Sequence, residues 1–452
     1  MLIIWFPFLV ASLCLYSTTF QTKNVTFLQT FLNVTKLLFC YYLSNERNKV
    51  GKSGNPAKQT KPLNGAVAVW SNSPGMPTGY GEQAKLLIDL LKRDGAKVAA
   101  VSNYGLEGVV DEYRSPYGPV PHYPRGLDAY SNDVVGMHYA HFMSQHPDLP
   151  KLLLTLYDTW ILKGNGWNGK PIASWIPLDH VTLPPAVAEW AKRDNVTPIA
   201  MAKHGVRQLN NAGIECEYVP HSIDTKLMKP TDTIGGRDGR DFIGAGDRFV
   251  VGMVAANKSS GLIHRKAFSE NLLAFSVFQK KYPDTMLYLH TDFLGAGGVG
   301  WNLLKMLAAF GIPKEAVTFP AVQDYRYGVS RADLAGFYSA MDVLLAVSYG
   351  EGFGVPTVEA QACGTPVIGS SWAATPDLLS EDCWMVDGTM TWDAGQDALW
   401  MTPNVSSIVS ALELAYERGR GRSQASIDFA KQFDTETVWQ QHWLPLLSKL
   451  LA

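Results

Sequence analysis

The chain has 452 residues, of which 46% are hydrophobic and 18% charged, and its formal net charge at pH 7 is -2. This length is too great for one ordinary core and predicts two domains with a cleft between them. The near-neutral charge argues against a general binder of nucleic-acid backbones, which usually carries a basic excess. Five scattered cysteines, none in a CxxC pair, argue against a disulfide framework or a thiolate metal site and favour a reducing compartment.

Residues 1–61 are predicted to form an apolar extension followed by a basic linker. The first twenty residues carry no charge and are long enough to cross a bilayer, and a second apolar stretch ends near residue 43. The Lys and Arg residues that follow favour a cytoplasmic location for the body of the protein. Two interpretations stay open: a membrane anchor within residues 1–43, or a leader unrelated to the body.

Residues 62–230 are predicted to form a Rossmann-like domain. Short apolar runs separated by helical segments predict buried strands at GAVAVWS, KVAAVS, DVVGMHYA, KLLLTLYD, PIASWIPLD, TPIAMA and CEYVP. Strands that alternate with helices indicate a mainly parallel sheet covered on both faces.

A second domain of the same type is predicted over residues 248–425, after an aperiodic Gly- and Asp-rich linker at 231–247. Its strands are predicted at FVVGMVA, TMLYLHT, AVTFPA, DVLLAVS and PVIGSS. Residues 426–452 are predicted to be helical and to pack back on the first domain. Two doubly wound halves place the carboxyl ends of their strands at a shared crevice, where such sheets bind ligands.

The segment SYGEGFGVPTVEAQACGTPVI, residues 348–368, carries the clearest chemical signal. A predicted strand ends there, a glycine-rich turn follows, and Pro356 stands where a helix begins, a position that tolerates a missing N–H. The amides of Gly352, Phe353 and Gly354 are therefore expected to point at a ligand above the helix N-terminus, which favours phosphate.

Two glutamates flank this turn, Glu351 within it and Glu359 one turn into the helix. Acids beside a phosphate repel it unless each has another role, and an ionised carboxylate accepts charge-assisted hydrogen bonds from a sugar diol. One acid for the transferred sugar and one for the nucleotide ribose fits their separation. Acids in a first helical turn also occur without a ligand, so the glutamates alone leave that interpretation open.

The whole segment 348–368 resembles the glutamate–seven residues–glutamate motif of the retaining, two-domain (GT-B) family 4 glycosyltransferases, the group 1 glycosyl transferases. Weaker similarity covers most of residues 63–445. The resemblance implies an α/β fold of two Rossmann-like doubly wound domains that face a cleft. It also implies that the acceptor lies on the first domain and a nucleotide-diphosphate sugar on the second.

The same resemblance implies roles for residues of the motif. Glu351 is expected to contact the transferred sugar and Glu359 the ribose. The amides of Phe353, Gly354 and Val355 are expected to hold sugar and phosphate oxygens. No metal cluster is apparent in the sequence, so no metal and no other cofactor is expected.

Protein cations are then needed to neutralise the departing diphosphate. The family places an Arg and a Lys after the strand that corresponds to FVVGMVA. Lys258 matches the lysine position, whereas Met253 stands at the arginine position. Arg265, supported by Lys266, is the substitute expected from the next turn, since an Arg fork suits a phosphate well. A solvated basic loop is the alternative for these residues.

The loops of the first domain supply further candidates. Gly79 and Gly81, in TGYG, resemble the family's glycine loop against the diphosphate and acceptor, although such glycines often serve only the turn. Tyr157 and Asp158 lie where the family often has His followed by Asp.

Two histidines complete the acceptor-side candidates. His138 is placed near a predicted strand end, and His221, in YVPHSID, resembles the family's hinge between domains. A structural role is the alternative for each.

Together with the motif, the resemblance implies a retaining, metal-independent glycosyltransferase that moves a sugar from a nucleotide-diphosphate sugar to an acceptor hydroxyl. The acceptor class stays open among lipid, glycan, protein, small molecule and modified base. Two alternatives are a sugar-nucleotide epimerase of the same fold and an inactive nucleotide-sugar-binding protein. Product analysis separates the first alternative from transfer, and binding without turnover would indicate the second.

Overall fold

The computed structural model describes residues 62–259, 261–295 and 299–452. The extension and basic linker predicted over residues 1–61, with the membrane anchor considered for residues 1–43, lie outside these ranges. Within the described ranges, no helix combines the length and the apolar character needed to cross a bilayer.

Among the described residues, the first half of the chain contains a sheet of eight strands connected by helices. The strands are β1 Ala66–Asn72, β2 Lys97–Tyr104, β3 Asp111–Ser115, β4 Gly118–Tyr123, β5 Lys151–Leu156, β6 Ile172–Ile176, β7 Val196–Ala200 and β8 Glu217–Tyr218. The helices are α1 Gly79–Arg93, α2 Val135–Ser144, α3 Pro185–Ala191 and α4 Lys203–Asn211. The spatial order is β3-β4-β2-β1-β5-β6-β7-β8, and every neighbouring pair is parallel except the β3–β4 hairpin.

The central strand β1 shows why these strands read as continuous apolar runs. Val67 and Val69 belong to the core on one face of the sheet, whereas Ala66, Ala68 and Trp70 belong to the core on the other. A strand buried on both faces needs apolar residues at every position.

The prediction of a strand at DVVGMHYA is wrong. This run forms the start of helix α2. The buried residues of α2 are Val135, Tyr139, Phe142 and Met143, which recur at helical spacing. The apolar period of this segment is visible only when the residues after it are included.

Residues 231–247, predicted as an aperiodic linker, carry local structure. They form the hairpin of β9 Thr233–Ile234 and β10 Arg237–Asp238, followed by α5 Gly239–Phe242, whose first amides are capped by the Asp238 carboxylate.

The second half contains a sheet of six parallel strands within the described residues. The strands are β11 Phe249–Val254, β12 Thr285–His290, β13 Val317–Thr318, β14 Val343–Ala346, β15 Val367–Ser370 and β16 Trp384–Val386, in the spatial order β13-β12-β11-β14-β15-β16. The helices are α6 Phe268–Lys281, α7 Leu303–Ala309, α8 Val322–Tyr327, α9 Arg331–Ala340, α10 Val355–Ala362 and α11 Val405–Arg418. An antiparallel hairpin, β17 Gly388–Asp393 and β18 Ala398–Pro403, separates β16 from α11.

The end of the chain returns to the first half. It comprises α12 Gln424–Ala430, α13 Thr435–Val438, a π-helical turn Trp439–Trp443 and α14 Leu444–Leu450. Trp443 packs edge-on against Trp175 of β6, with ring centroids 4.9 Å apart, and the Trp439 indole donates to the Asp94 carboxylate at 2.7 Å. Burial of these indoles attaches the C-terminal segment to the first sheet.

Candidate active site

The glycine turn between β14 and α10 packs closely against the first half. Gly354, with φ of +98°, caps α10, and Pro356 occupies the second helical position. A Cβ atom added to Gly350 would lie 1.8 Å from the backbone oxygen of Asp179, and one added to Gly352 would lie 2.7 Å from Cβ of Pro177. Glycine is required at both positions because the backbones of the two halves meet there.

Glu351 is held by two adjacent cations. Nη1 of Arg265 donates to Oε2 of Glu351 at 3.0 Å, and Nζ of Lys266 donates to Oε1 at 2.5 Å. Burial alone would raise the pKa of Glu351, but the charges and hydrogen bonds of Lys266 and Arg265 outweigh it and lower that pKa to about 2. Glu351 is therefore a buried, ionised carboxylate at neutral pH.

Arg265 also connects the halves. Its Nη1 donates to the carbonyl of Gly350 at 2.5 Å, and its Nε lies 3.6 Å from Oδ2 of Asp179, in the loop after β6 of the first half. Burial and the charge of Arg265 lower the pKa of Lys266. Lys258, the other predicted cation, is exposed, and no ion pair of its side chain occurs among the described residues. The structure thus brings Arg265 and Lys266 to Glu351 and leaves Lys258 outside this cluster.

A cavity of about 20 Å³ lies beside Glu351 and Lys266, with Met253 and Gly354 also in its wall. Met253 is buried, so an apolar side chain stands where the family resemblance led us to look for an arginine. A volume of this size holds about one water molecule, far less than a nucleotide sugar.

Glu359 makes its own ion pair. Its carboxylate is 5% exposed, accepts a hydrogen bond from Arg331 of α9, and accepts another from the Tyr338 hydroxyl at 2.8 Å. Nε of Arg331 also lies 3.8 Å from Oε1 of Glu82 in α1 of the first half. Arg331 therefore links Glu359 to the boundary between the halves, a contact that the motif did not predict.

The TGYG loop and the loop after β5 meet through Tyr80. The Tyr80 hydroxyl donates to Oδ2 of Asp158 at 3.1 Å. Burial, reinforced by the charge of Asp179, raises the pKa of Asp158 to about 6. Gly81 is required by the turn itself, because an added Cβ would lie 2.6 Å from the Met76 carbonyl oxygen, whereas Gly79 faces open space.

Tyr157 and the two candidate histidines are engaged in local contacts. The Tyr157 hydroxyl donates to the Asn72 side chain. His138 lies on α2, not at a strand end, and its Nε2 is 3.1 Å from the Pro124 carbonyl oxygen. These contacts place Tyr157 and His138 in the framework of the first half.

His221 lies between the halves. Its ring packs against Trp175 and against Phe353 of the glycine turn, with centroids 4.4 and 5.2 Å apart. Burial lowers the pKa of His221 to about 3, so the ring is neutral at pH 7. The Phe353 side chain is thus part of the contact between the halves.

Four residues near the site were missed by sequence reasoning. His180 lies between the carboxylates of Asp179 and Asp393, at 2.8 and 3.0 Å, and stacks on Trp400. Asp179 and His180 follow strand β6, and the rule that ligands bind at strand carboxyl ends could have identified them. Asp393 and Trp400 belong to the β17–β18 hairpin, which has no motif. Among the described residues, no group of three or more His, Cys, Asp or Glu side chains has a metal-binding arrangement.

Part of the sequence is similar to known glycosyltransferases. The family model described as glycosyl transferases group 1 matches residues 285–400. The D-inositol 3-phosphate glycosyltransferase of Segniliparus rotundus is 23% identical over 227 residues, which are 49% of this chain and 44% of that protein. The uncharacterized glycosyltransferase 335 of Sulfolobus islandicus rod-shaped virus 1 is 35% identical over 171 residues, 38% of this chain and 46% of that protein. The matched part spans less than half the length of these curated relatives.

Solved structures share the fold over most of the chain. The sucrose-phosphate synthase of Thermosynechococcus elongatus superimposes with a TM-score of 0.65 at 17% identity, covering 85% of this chain and 99% of that one. The Anabaena protein Alr3699/HepE, in complex with UDP and glucose, gives a TM-score of 0.58 at 17% identity, covering 83% and 97%.

The architecture is therefore that of the GT-B glycosyltransferases, which confirms the predicted fold class. Residues 348–368, which resemble the motif of the group 1 glycosyl transferases, lie inside the region that the model of this family matches.

Proposed function

We propose that this protein transfers a sugar from a nucleotide-diphosphate sugar to an acceptor hydroxyl, with retention of configuration and without a metal ion. The observation that carries the proposal is the Glu351 carboxylate, held by Arg265 and Lys266 at the point where the two halves meet. Relatives of this fold are described in complex with UDP and with UDP-glucose, which makes UDP-sugars the first donors to test. The curated relatives named for D-inositol 3-phosphate add phosphorylated polyols to the candidate acceptors.

The proposed role of Arg265 and Lys266 is to neutralise the departing diphosphate. Both cations bond Glu351 in this structure, and they follow β11 at the N-terminal side of α6. A diphosphate above the glycine turn would meet these two cations and the amides at the start of α10. Since Met253 supplies no charge, the cationic contribution falls to this pair.

In the proposed reaction the acceptor hydroxyl attacks the anomeric carbon on the face from which the diphosphate leaves. The new bond joins the acceptor oxygen to that carbon, the bond to the diphosphate oxygen breaks, and the acceptor proton passes to the departing diphosphate. Attack on the leaving-group face retains the anomeric configuration. Glu351 would orient hydroxyls of the transferred sugar through charge-assisted hydrogen bonds.

Donor binding requires the halves to separate, since the cavity beside Glu351 has a volume of about 20 Å³. Closure would then exclude water and bring donor and acceptor together. The close contact of Gly350 with the Asp179 backbone supports this step, because it places the glycine turn against the first half.

The test replaces Glu351 by Gln, which keeps the side-chain shape, and by Ala. Donors are first identified by thermal shift with UDP-, GDP- and ADP-sugars, because a ligand of the folded state raises Tm by mass action. We expect both variants to lose about 100-fold or more in nucleoside diphosphate release with acceptor. Glu381→Ala, at an exposed glutamate of the same half, is the control.

Turnover of the Glu351 variants at the wild-type rate would defeat the proposed site. Identification of the product separates transfer from epimerisation, and its anomeric configuration tests retention. Activity that survives EDTA supports metal independence, whereas activity restored only by a divalent cation contradicts it.

A further inference from the structure

A second cavity, of about 310 Å³, lies between the two halves. The loops after β5 and β6 form one side, and the β17–β18 hairpin forms the other. Its volume is within the range of sites that hold small molecules. The hairpin is fixed against the first half by backbone bonds, since the amide of Val181 donates to the carbonyl of Leu399 at 2.6 Å.

The cavity adjoins the candidate active site through Asp179. This carboxylate lines the cavity, and its Oδ2 lies 3.6 Å from Nε of Arg265, which in turn bonds Glu351. Asp158, bonded by Tyr80 of the TGYG loop, lines the same cavity. A compound in the cavity would therefore lie next to the groups expected to hold the transferred sugar.

The wall of the cavity is acidic. Asp158, Asp179 and Asp393 line it, and no Lys or Arg is among the described residues of its wall. His180, also in the wall, is bonded by two of these carboxylates. Burial would lower the pKa of His180, but Asp179 and Asp393 outweigh it and raise that pKa, so the charge of the ring is already paired. A phosphate placed here would meet carboxylates without a free cation, which is unfavourable.

The same wall offers hydrogen bonds and aromatic surface. The Thr159 hydroxyl and the Trp400 indole N–H are buried without a partner among the described residues, and both side chains line the cavity. Neither atom is exposed to the cavity in this structure, so each would bond a ligand hydroxyl only after its side chain turns. Trp160, 37% exposed, adds a large aromatic face of the kind on which sugar rings pack.

We infer that this cavity is the acceptor site and that it takes a neutral polyhydroxyl compound, a sugar, glycoside or polyol, in preference to a phosphorylated one. The inference rests on the proposed function. It selects among the acceptors that the relatives suggest, because the acidic wall disfavours the phosphate group.

The experiment compares matched acceptors with the donor identified by thermal shift. The pairs are D-glucose and D-glucose 6-phosphate, and myo-inositol and D-inositol 3-phosphate. We expect products from a neutral compound, with kcat/KM about tenfold or more above that of its phosphate ester, which corresponds to about 1.4 kcal/mol. A phosphate ester that is the better substrate, or a panel without any neutral substrate, overturns the inference.

The two proposals fail in different ways. A protein that binds and hydrolyses a nucleotide sugar but prefers phosphate esters contradicts only the acceptor inference. A protein that binds no nucleotide sugar contradicts the proposed function, and the acceptor inference falls with it.

Trp160→Ala tests the location of the site with a side chain that is already partly exposed. We expect KM for the neutral acceptor to rise about tenfold, a larger change than that in KM for the donor. The control is Trp392→Ala, because Trp392 lies on the same hairpin as Trp400, is 56% exposed and does not line the cavity. An unchanged acceptor KM in Trp160→Ala, or an equal rise in both tryptophan variants, contradicts the assignment.

Discussion

His180 of the first half lies flat on Trp400 of the second, with ring centroids 4.8 Å apart and an interplanar angle of 11°. Around this stack, Asp393 bonds His180, and the amide of Leu399 donates to the Thr182 hydroxyl at 2.9 Å. The β17–β18 hairpin therefore acts as a bridge from the second half to the first. Its contacts would have to change if the halves separate to admit a donor.

The Asp393–His180 pair should stabilise the folded protein in a pH-dependent way. Asp393→Ala leaves His180 with one carboxylate, and we expect a loss of about 2 kcal/mol in the free energy of unfolding at pH 6. The raised pKa of His180 means that this contribution is fully present below the unfolded value near 6.5 and declines as pH rises through the folded value. Neutral imidazole has one N–H and can donate to only one carboxylate.

Urea unfolding at pH 6 and pH 9 measures the change. The difference in the free energy of unfolding between Asp393→Ala and wild type should be smaller at pH 9 than at pH 6. Thr389→Ala, at an exposed position of the same hairpin, serves as the control. A difference that grows with pH would contradict the pairing.

Arg331 is predicted to be the main support of the buried Glu359 carboxylate. In Arg331→Ala the Glu359 carboxylate keeps only its hydrogen bond from the Tyr338 hydroxyl. We expect the free energy of unfolding to fall by about 3 kcal/mol, because a buried charge is left without its partner. Glu82→Gln removes the 3.8 Å contact, whose partners are about a quarter exposed, and should cost less than about 1 kcal/mol. Urea denaturation compares the two variants, and equal losses would show that the Arg331–Glu359 pair is not dominant.

The fold was largely predictable because its strands are buried on both faces. Runs such as GAVAVWS contain apolar residues on both sides of the sheet, and this local signal does not depend on distant partners. The segment that became α2 was misread because a short apolar run looks alike in a strand and in a buried helix.

The site was predictable only where one segment contains it. The glycine turn carries Glu351 within a recognisable motif, and Arg265 and Lys266 were proposed because the family resemblance implies cations after the strand FVVGMVA. The contact between His180 and Asp393 joins residues 213 positions apart, so neither local pattern nor charge could predict it. The ligand contacts proposed for Glu351 and Glu359 stay predictions.

Arg265 should be needed for turnover as a planar fork and not only as a charge. It reaches the Gly350 carbonyl, Glu351 and Asp179 together, which a lysine ammonium cannot do in the same geometry. We expect Arg265→Ala to lower kcat about 100-fold or more, and Arg265→Lys to recover only part of that loss. Steady-state assays with Lys280→Ala, at an exposed lysine, as the control measure this effect. Full activity in Arg265→Lys would show that charge alone suffices.

Asp158 should make the folded protein less stable as it ionises. Its pKa of about 6 lies above the usual value for Asp, so the folded state holds the proton more tightly than the unfolded state. Stability from this group is therefore present at low pH and lost as pH rises from about 4 through 6. Asp158→Asn keeps an acceptor for the Tyr80 hydroxyl and removes the titration.

We expect the free energy of unfolding of Asp158→Asn, relative to that of wild type, to rise by about 2 kcal/mol from pH 4 to pH 8. Urea unfolding across this range measures it, with Asp148→Asn, at an exposed position of the first half, as the control. A pH-independent difference would contradict the raised pKa.

Gly350→Ala should block closure without disturbing either half. Gly350 does not have positive φ, so alanine fits its backbone conformation, but the new Cβ would lie 1.8 Å from the Asp179 carbonyl oxygen across the boundary. Because neither backbone can move to relieve this contact, the two halves must stay further apart. A displacement of this size misaligns the reacting groups, so we expect kcat to fall at least about tenfold. Gly136→Ala, where the nearest atoms are 3.5 Å from the added Cβ, is the control. Small-angle scattering should show a larger radius of gyration for Gly350→Ala but not for the control. Turnover of Gly350→Ala at the wild-type rate would mean that the contact between the glycine turn and the first half is not part of the active state.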